Sequence, residues 1–494
     1  MAVNQTQHSV FRRAAGVLTA LIPILALLAT GAHLCAQAPN PTSAANPFFG
    51  SVTARPAPRG SGSDETLRLS LDDAISLGLR NNLGLKEAEN QEKSLQGYKN
   101  EALQNFLPTI TLNGDLGVHQ QSLVAMGFGP ALFAEFSKLM TLPANLSFIT
   151  RDDLTDGQIR YGQMLFSGPV IAAWKGAKAA ENAAHFAKTS ARGEVVQQVA
   201  SAYLHAIAAA SEVDNAQALE AADKVLLEQA HAAHQAGVAS NLDELRARVQ
   251  LQAQQQALIA AQNAVEKDLI LLKREIGIDP GQRIALTDPA PYSDLAADTP
   301  DEVRAIAYKN RQDYQDLQNQ AVAYKAIHTA YRSQRLPSLS FGGYYGVSQV
   351  GGAGSHGNFV AQGMLSVPLF REASLRGDAD AAQAQLAAVD AQLADLRGRI
   401  EQQVRSALLD VNATSKLVEV ARSNVELATR ALSDETDRVN AGVDDNLPLV
   451  TAQATLASAQ SNLVESLYQY NLSKLALARA TGVLEQQYRV YLGR

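Results

Sequence analysis

Two histidines and two carboxylates lie close together in the sequence, and their side chains are of the types that bind a metal ion. His231 and His234 are three positions apart, and Asp243 and Glu244 follow them. Imidazole nitrogens and carboxylate oxygens are common ligands of zinc and related cations. No second ligand pair at a fixed spacing accompanies them, so the simpler interpretation is a solvated polar stretch of helix. We therefore predict no metal site.

Other patterns that could carry catalysis also have simpler interpretations. The pairs Asp72–Asp73 and Asp152–Asp153 are typical of a helix start and an exposed loop. Gly342–Gly343 and Gly351–Gly352 belong to a strand and its turn, and no phosphate-binding loop precedes a helix there. The one cysteine is Cys35, and the sequence contains no Gly-x-Ser-x-Gly nucleophile motif. We predict a protein that is not an enzyme and binds no cofactor.

Composition excludes two further classes of protein. Hydrophobic residues make up 46% of the 494 residues and charged residues 18%, which is not the composition of a disordered chain. The formal net charge is −7, and no basic stripe follows any helical segment. Nucleic acid is therefore not an expected partner.

The N-terminal segment resembles a signal for export. Two arginines precede an apolar run at 14–30, and small residues follow that run. This pattern predicts a signal peptide over 1–36, with a single membrane anchor as the alternative. The segment 37–65 is rich in Pro, Gly and Ser, which predicts a flexible linker. Whether Cys35 is lipidated stays open.

An internal duplication organises the remainder of the chain. The helix-to-helix turn at 236–242 recurs 205 positions later as the turn at 441–447, and both contain an Ala-Gly-Val sequence. A register held over such a distance indicates a repeat. Glycine is the residue expected where a helix ends in a left-handed conformation. Asn241 and Asn446 are then the predicted N-caps of the helices that follow.

Between the helical segments, the apolar period changes from 3.6 residues to two. This change predicts strands at about 109–118 and 157–166, and again at about 338–348 and 359–369. Strands of this length with one apolar and one polar face are typical of transmembrane barrels. A small soluble β-subdomain is the alternative. Four strands cannot close a barrel, so the pattern predicts an oligomer. The polar residues predicted to face a wet lumen are Thr109, Thr111, Asn113, Asp115, Ser338 and Ser340.

Each repeat thus reads as helix, strand, strand, very long helix, turn and long helix. The first repeat spans 66–290 and carries an extra apolar segment at 126–148, predicted to be a loop or a short helix. The second repeat spans 291–484, and a C-terminal tail follows at 485–494. The first helix of each repeat is predicted to be continuous. The very long helix that follows each strand pair, about 65 residues, would extend roughly 100 Å, far more than a globular helix needs.

From residue 69 to about 484, the chain resembles the TolC family of outer-membrane efflux and secretion channels. The motifs that carry this resemblance are Phe106-Leu107-Pro108, Arg335-Leu336-Pro337, Leu165-Phe166, Leu369-Phe370 and the two Ala-Gly-Val turns. The resemblance implies a mainly α fold with a small membrane β part. In that fold, a trimeric 12-stranded β-barrel continues into a long α-helical barrel that crosses the periplasm.

The same resemblance implies a location in the outer membrane and a set of partners. These are two further copies of the chain, outer-membrane lipid, a periplasmic adaptor protein and an inner-membrane pump. The expected function is the exit duct of a tripartite efflux pump that exports small molecules. One alternative is the same type of channel serving type I protein secretion, and the other is a soluble periplasmic coiled-coil scaffold.

By this resemblance, the two turns form the periplasmic tip, where the tunnel narrows and the adaptor docks. The residues assigned to this tip are Gly237, Val238, Asp243, Arg246, Gly442, Val443, Asp444 and Asp445. Family members often carry acidic residues just after the second turn. Here those positions match Pro448 and Thr451, and the acidic residues come earlier. Whether the usual acidic gate is present stays open.

Overall fold

The computed structural model describes residues 66–122, 124, 134, 149–237, 240–289, 292–295, 299–350, 354–441 and 446–493. The predicted signal peptide (1–36) and linker (37–65) lie outside the described residues. The extra segment at 126–148 also lies outside them, apart from Ala134.

Each half of the chain contains the same series of two helices, two strands, a very long helix and a returning helix, and a few short elements are added to it. The helices are α1 (Leu71–Asn81), α2 (Leu83–Gln104), α3 (Gly168–Gln235), α4 (Asn241–Ile276), α5 (Pro300–Asn310), α6 (Gln312–Ser333), α7 (Glu372–Asn440), α8 (Asn446–Ala480) and α9 (Leu484–Leu492). The strands are β1 (Leu67–Leu69), β2 (Thr109–Ser122), β3 (Ile149–Phe166), β4 (Ile284–Leu286), β5 (Ser338–Val350) and β6 (His356–Ser366). Within these ranges, no helix has both the length and the apolar character needed to cross a membrane.

The prediction of one continuous helix at the start of each repeat is wrong. The first is interrupted at Asn82 and the second at Arg311, and both residues have extended backbone with ψ of 125° and 119°. The side-chain oxygen of Asn82 accepts a hydrogen bond from the Leu85 backbone N–H at 3.1 Å. Such a local bond competes with the helical ladder and starts a new helix.

The four longer strands form one antiparallel sheet in the order β2-β3-β5-β6. Three strands are longer than their apolar pattern indicates, because backbone pairing continues where the alternation has ended. Strand β3 begins at Ile149 rather than near 157. Strand β6 instead lies earlier than predicted and ends at Ser366 rather than at 369. Pro368 follows and has no N–H to donate to a sheet.

Three small elements that the sequence did not reveal, β1, β4 and α9, lie in the helical part. Strands β1 and β4 form a parallel pair. The predicted tail contains α9, whose Leu484 and Leu492 are buried. The hydroxyl of Tyr488 in this helix donates to Asp72 Oδ1 at 2.6 Å, which ties the C-terminus to α1.

The chain divides into two compact units. The strand unit contains the antiparallel sheet, and its described residues fall within Ser94–Glu181 and Gln320–Ala388. The helical unit comprises the described residues within Ala38–Lys93, Asn182–Asn319 and Val389–Arg494.

Two apolar clusters form the main core of the helical unit, and they are copies of each other. Val199 and Leu272 are fully buried in the first cluster. Val404 and Leu477, each 205 positions later, are buried at the equivalent places in the second. The duplication is therefore a duplication of packing as well as of sequence.

A glycine with positive φ ends the returning helix of each repeat. Gly277 has φ of 70° and Gly482 has φ of 76°, a conformation that costs little for glycine alone. A Cβ on Gly277 would lie 2.7 Å from Asn81 Cβ, and a Cβ on Gly482 would lie 2.8 Å from Arg311 Cα. The returning helices thus end against the breaks in the first helices, with no room for a side chain.

We predict that Gly482→Ala lowers the stability of the protein by about 1–3 kcal/mol, because it adds left-handed strain and a clash with backbone. Gly377→Ala is the control, since no atom lies within 4 Å of that site in α7. It should be neutral or stabilising by up to about 1 kcal/mol. Thermal unfolding of the detergent-solubilised protein measures both, and equal midpoints for the two variants would contradict the packing described.

Candidate functional site

One face of the antiparallel sheet is apolar and exposed. Leu112, Ile159, Tyr345 and Phe359 lie opposite one another in a row across all four strands. Their exposed fractions are 80%, 53%, 66% and 75%. Contiguous apolar surface of this kind marks a contact with lipid or with another protein.

The opposite face is largely polar and carries all six residues that the sequence assigned to a lumen. The register aligns Thr109 with Gly162 and Gly342, and Ser340 with Met164, which places β2 and β5 polar residues on one side. The predicted residues on this side are Thr109, Thr111, Asn113, Asp115, Ser338 and Ser340. Strand pairing alone brings together the polar positions of both repeats.

Polar residues of β3 and β6 on the same face were missed by the sequence reasoning. The Arg160 Nε donates to Gln158 Oε1 at 3.0 Å, and its guanidinium carbon lies 6.0 Å from the centre of the Tyr344 ring. Asn358 Nδ2 donates to Ser348 Oγ at 3.1 Å. The same two-residue alternation that was applied to β2 would have identified Gln158 and Arg160.

The first helix-to-helix turn begins with Gly237, whose φ is 72°. The predicted N-cap of α4, Asn241, is wrong, because Ser240 occupies that position and Asn241 is the first helical residue. Ser240 Oγ accepts from the Asp243 backbone N–H at 3.3 Å, and Asp243 Oδ2 accepts from the Ser240 backbone N–H at 3.2 Å. This reciprocal pair is a capping box. Val238 lies outside the described residues.

The capping box and a nearby arginine engage the charge of Asp243. The Ser240 hydroxyl donates to Asp243 Oδ2 at 2.7 Å, and Arg246 Nη1 lies 3.4 Å from Oδ1. The hydrogen bonds from Ser240, and secondarily the charge of Arg246, hold the pKa of Asp243 below its usual value. Asp243 and Arg246, both assigned to the tip from the sequence, thus lie together in the structure. They form an ion pair within one turn of α4.

A second carboxylate at this turn links the two helices. Glu244 is buried and accepts from Arg248 Nη2 at 2.9 Å, while His231 Nδ1 of α3 lies 3.2 Å from its Oε1. Arg248 was missed, although its spacing of four residues from Glu244 is a signal for a helical ion pair. No group of three or more potential metal ligands occurs in the part of the chain that the structure describes.

The second turn is described only at its flanks. Gly442, Val443, Asp444 and Asp445 lie outside the described residues. The prediction of Asn446 as the N-cap of α8 is wrong, because Asn446 is the first helical residue. Beside the turns, an apolar cluster joins helices of both repeats within the helical unit. It contains Leu226, Ala230, Ala247 and Leu449.

A pair of amphipathic strands followed by a very long helix and a returning helix occurs twice in the chain, and the two strand pairs form one antiparallel sheet. This arrangement is that of the class of outer-membrane efflux proteins. The chain belongs to this family, since the family model described as "Outer membrane efflux protein" matches residues 74–277 and 305–483. The predicted family and the predicted outer-membrane location are confirmed. The family is one of transport proteins.

A curated relative gives the same class. The chain is 26% identical over 267 residues to a toluene efflux pump outer membrane protein from Pseudomonas putida. The alignment covers 50% of this chain and 52% of the relative, so the chain spans about half the length of the curated relative it matches.

Solved structures share the fold. A membrane protein from Pseudomonas aeruginosa superposes with a TM-score of 0.69 at 18% identity, covering 83% of this chain and 93% of that one. The outer membrane protein VceC from Vibrio cholerae gives 0.66 at 18% identity, covering 83% and 96%. The open state of the MtrE outer membrane channel from Neisseria gonorrhoeae gives 0.66 at 17% identity, covering 84% and 89%. These likenesses confirm the predicted fold, mainly helical with a small β part.

We predict that Ser240→Ala weakens the start of α4 by about 1 kcal/mol, because it removes the cap that satisfies the Asp243 N–H. Asn241→Ala is the matched control and should change little, since its side chain caps nothing in this arrangement. Hydrogen exchange of the first turn of α4 reports the difference. Faster exchange in the Asn241 variant than in the Ser240 variant would show that the cap is misassigned.

Proposed function

We propose that the chain is the outer-membrane exit duct of a tripartite efflux pump and works as a homotrimer. The observation that carries this proposal is the four-stranded sheet with one exposed apolar face, one polar face and two outer strands. Backbone groups at a sheet edge in lipid need partners, so the sheet has to be continued by another chain.

The strand directions support closure by copies of the same chain. Adjacent strands of the sheet are all antiparallel, so the two outer strands, β2 and β6, run in opposite directions. Strand β6 of one copy can therefore pair antiparallel with β2 of the next. Three copies give twelve strands, an even number within the range of outer-membrane barrels. Three is also the number that the family resemblance implies.

In this arrangement, the two faces of the sheet have separate roles. The row that contains Leu112 and Phe359 contacts lipid. The face that contains Asp115, Asp156 and Ser348 lines a water-filled pore, in which carboxylates favour cations. The pore acts by its width and polarity, and no residue reacts with the cargo.

The helical unit supplies the periplasmic part of the duct, and its turns provide the contact with an adaptor protein. The adaptor in turn connects the duct to an inner-membrane pump. The cargo that we propose is small molecules, since the relative from Pseudomonas putida is named for a toluene efflux pump. That name favours efflux over type I protein secretion. A soluble scaffold is disfavoured because it would leave the apolar face of the sheet in water.

We predict that Leu112→Arg reduces assembly in the outer membrane, because a charge on a lipid-facing strand costs about 2–4 kcal/mol near the bilayer midplane. Asn113→Arg, on the adjacent residue and the opposite face, should assemble normally and lower the cation preference of the pore. Heat-modifiable trimer on gels measures assembly, and planar-bilayer recording measures conductance. Recovery of the wild-type protein as a soluble periplasmic monomer would refute the channel.

We also predict that Asp444→Asn combined with Asp445→Asn lowers the cation preference of the reconstituted channel. Two carboxylates per chain would give six around a trimeric tip, and like charges in a constriction attract counter-ions. Asp243→Asn is the comparison, and its effect should be smaller because Ser240 and Arg246 already engage that carboxylate. Unchanged cation selectivity in the Asp444 and Asp445 variant would show that these residues do not form the gate.

A further inference from the structure

All four connections between the strands and the helices lie at the same end of the strands. Strands β2 and β5 begin there, and β3 and β6 end there. Apolar residues next to this end of the strands are exposed in the strand unit. These residues, given with their exposed fractions, are Leu107 (47%), Leu165 (53%), Leu336 (49%), Leu369 (93%) and Phe370 (92%). We call this set the junction belt.

A cluster of arginines accompanies the junction belt in the second repeat. Arg335 follows α6 and forms a two-point ion pair with Glu372, the first residue of α7, at 3.1 and 2.9 Å. Arg376 Nε reaches the same carboxylate at 2.7 Å. The hydrogen bonds from Arg335 and Arg376 lower the pKa of Glu372 to about 2, so it stays ionised. One carboxylate therefore forms ion pairs with two guanidinium groups.

Two more arginines lie beside this ion pair and are exposed. Arg332 is near the end of α6, and Arg371 immediately precedes α7. Neither side chain has a hydrogen bond or an ion pair with any residue that the structure describes. Asp378, about two turns further along α7, is the next acidic residue. The cluster keeps a positive charge with guanidinium groups available to a ligand.

The first repeat provides an internal comparison. The residues that match the four arginines there are Leu103, Phe106, Ser167 and Ala172, at offsets of 229 positions before the strands and 204 after them. None of these carries a charge. The duplicated fold therefore does not need arginines at this place, and their presence in one copy requires a separate explanation.

We propose that Arg332, Arg371 and their neighbours at the junction belt bind the phosphate of anionic phospholipid headgroups. The inference rests on the proposed function, which puts the apolar face of the sheet in lipid. The junction belt lies next to the ends of the strands of this sheet, and the chain's one tryptophan, Trp174, lies near the start of α3, with Lys178 Nζ 5.8 Å from its ring centre. Tryptophan and long cationic side chains favour the boundary between lipid and water.

The chemistry of the cluster suits a phosphate. A guanidinium group offers paired N–H donors that match two phosphate oxygens, and it binds them as a charged fork. Exposed leucine and phenylalanine side chains beside it would contact the first methylene groups of the acyl chains. Basic residues at a membrane surface attract anionic lipid in proportion to their number.

The test is native mass spectrometry of the full-length detergent-solubilised protein with added dioleoylphosphatidylglycerol or dioleoylphosphatidylcholine. We expect wild type to retain phosphatidylglycerol in preference to phosphatidylcholine. Arg332→Gln with Arg371→Gln should bind phosphatidylglycerol about thirtyfold more weakly, since the loss of each basic residue weakens such attraction roughly fivefold. The Arg335–Glu372–Arg376 ion pairs remain in this variant. Arg274→Gln with Arg283→Gln, in the helical unit, removes the same charge from two exposed arginines and should bind as wild type does.

Planar-bilayer conductance of the same samples separates this inference from the proposed function. Conductance is expected to be unchanged in the Arg332 and Arg371 variant. A wild-type protein that conducts but retains both lipids equally would overturn the lipid site and leave the channel intact. Equal loss of phosphatidylglycerol in the helical-unit control would overturn it as well, by showing unspecific attraction. A protein that selects phosphatidylglycerol without conducting would overturn the channel alone.

Discussion

The backbone hydrogen bonds of the antiparallel sheet are the constraint on which the remainder of the structure depends. Inside the sheet, the backbone N–H and C=O groups of each strand form hydrogen bonds with those of its neighbours. The pairing between β2 and β3 extends over fourteen consecutive positions. At the outer sides of β2 and β6, the polar groups of the backbone face outward. In lipid, where no water is available, such groups require a protein partner. In the proposed channel, the sheet of one chain is thus a segment of a larger closed structure.

Duplication gives the helical unit two equivalent cores, but the surfaces of the two repeats differ. The buried pairs Val199 with Leu272 and Val404 with Leu477 repeat each other in type and position. At the surface, by contrast, charged residues differ between the copies, as Arg335 and its uncharged counterpart Phe106 illustrate. Packing constrains a buried residue far more tightly than water constrains an exposed one. The copies could therefore diverge at the surface while the fold stayed the same.

Periodicity alone was sufficient to find the strands, because Ile110, Leu112, Leu116 and Val118 alternate with polar residues. It was insufficient for the helix breaks at Asn82 and Arg311. There the helical pattern continues in the sequence. The Asn82 side chain caps the new helix at the first break, and at both breaks a glycine from a distant helix packs closely against the chain. Long-range contact of this kind has no local signal.

The helix cap at the first turn was misassigned for a different reason. Ser240 and Asn241 are both good capping residues, and each has a carboxylate three positions later, Asp243 and Glu244, so spacing does not select between them. In the structure Asp243 completes the capping box, while Glu244 contacts Arg248 and His231. The contact between Glu244 and His231 depends on how α3 and α4 are aligned, which the sequence of either helix does not specify.

The apolar row across the sheet also has a consequence for the life of the chain before it reaches its membrane. A newly exported strand unit would present Leu112, Ile159, Tyr345 and Phe359 to water beside two open edges. Surfaces of this kind pair with one another and aggregate. In the proposed channel, only folding in the bilayer removes this row from water, so the chain is most prone to aggregate during its passage across the periplasm.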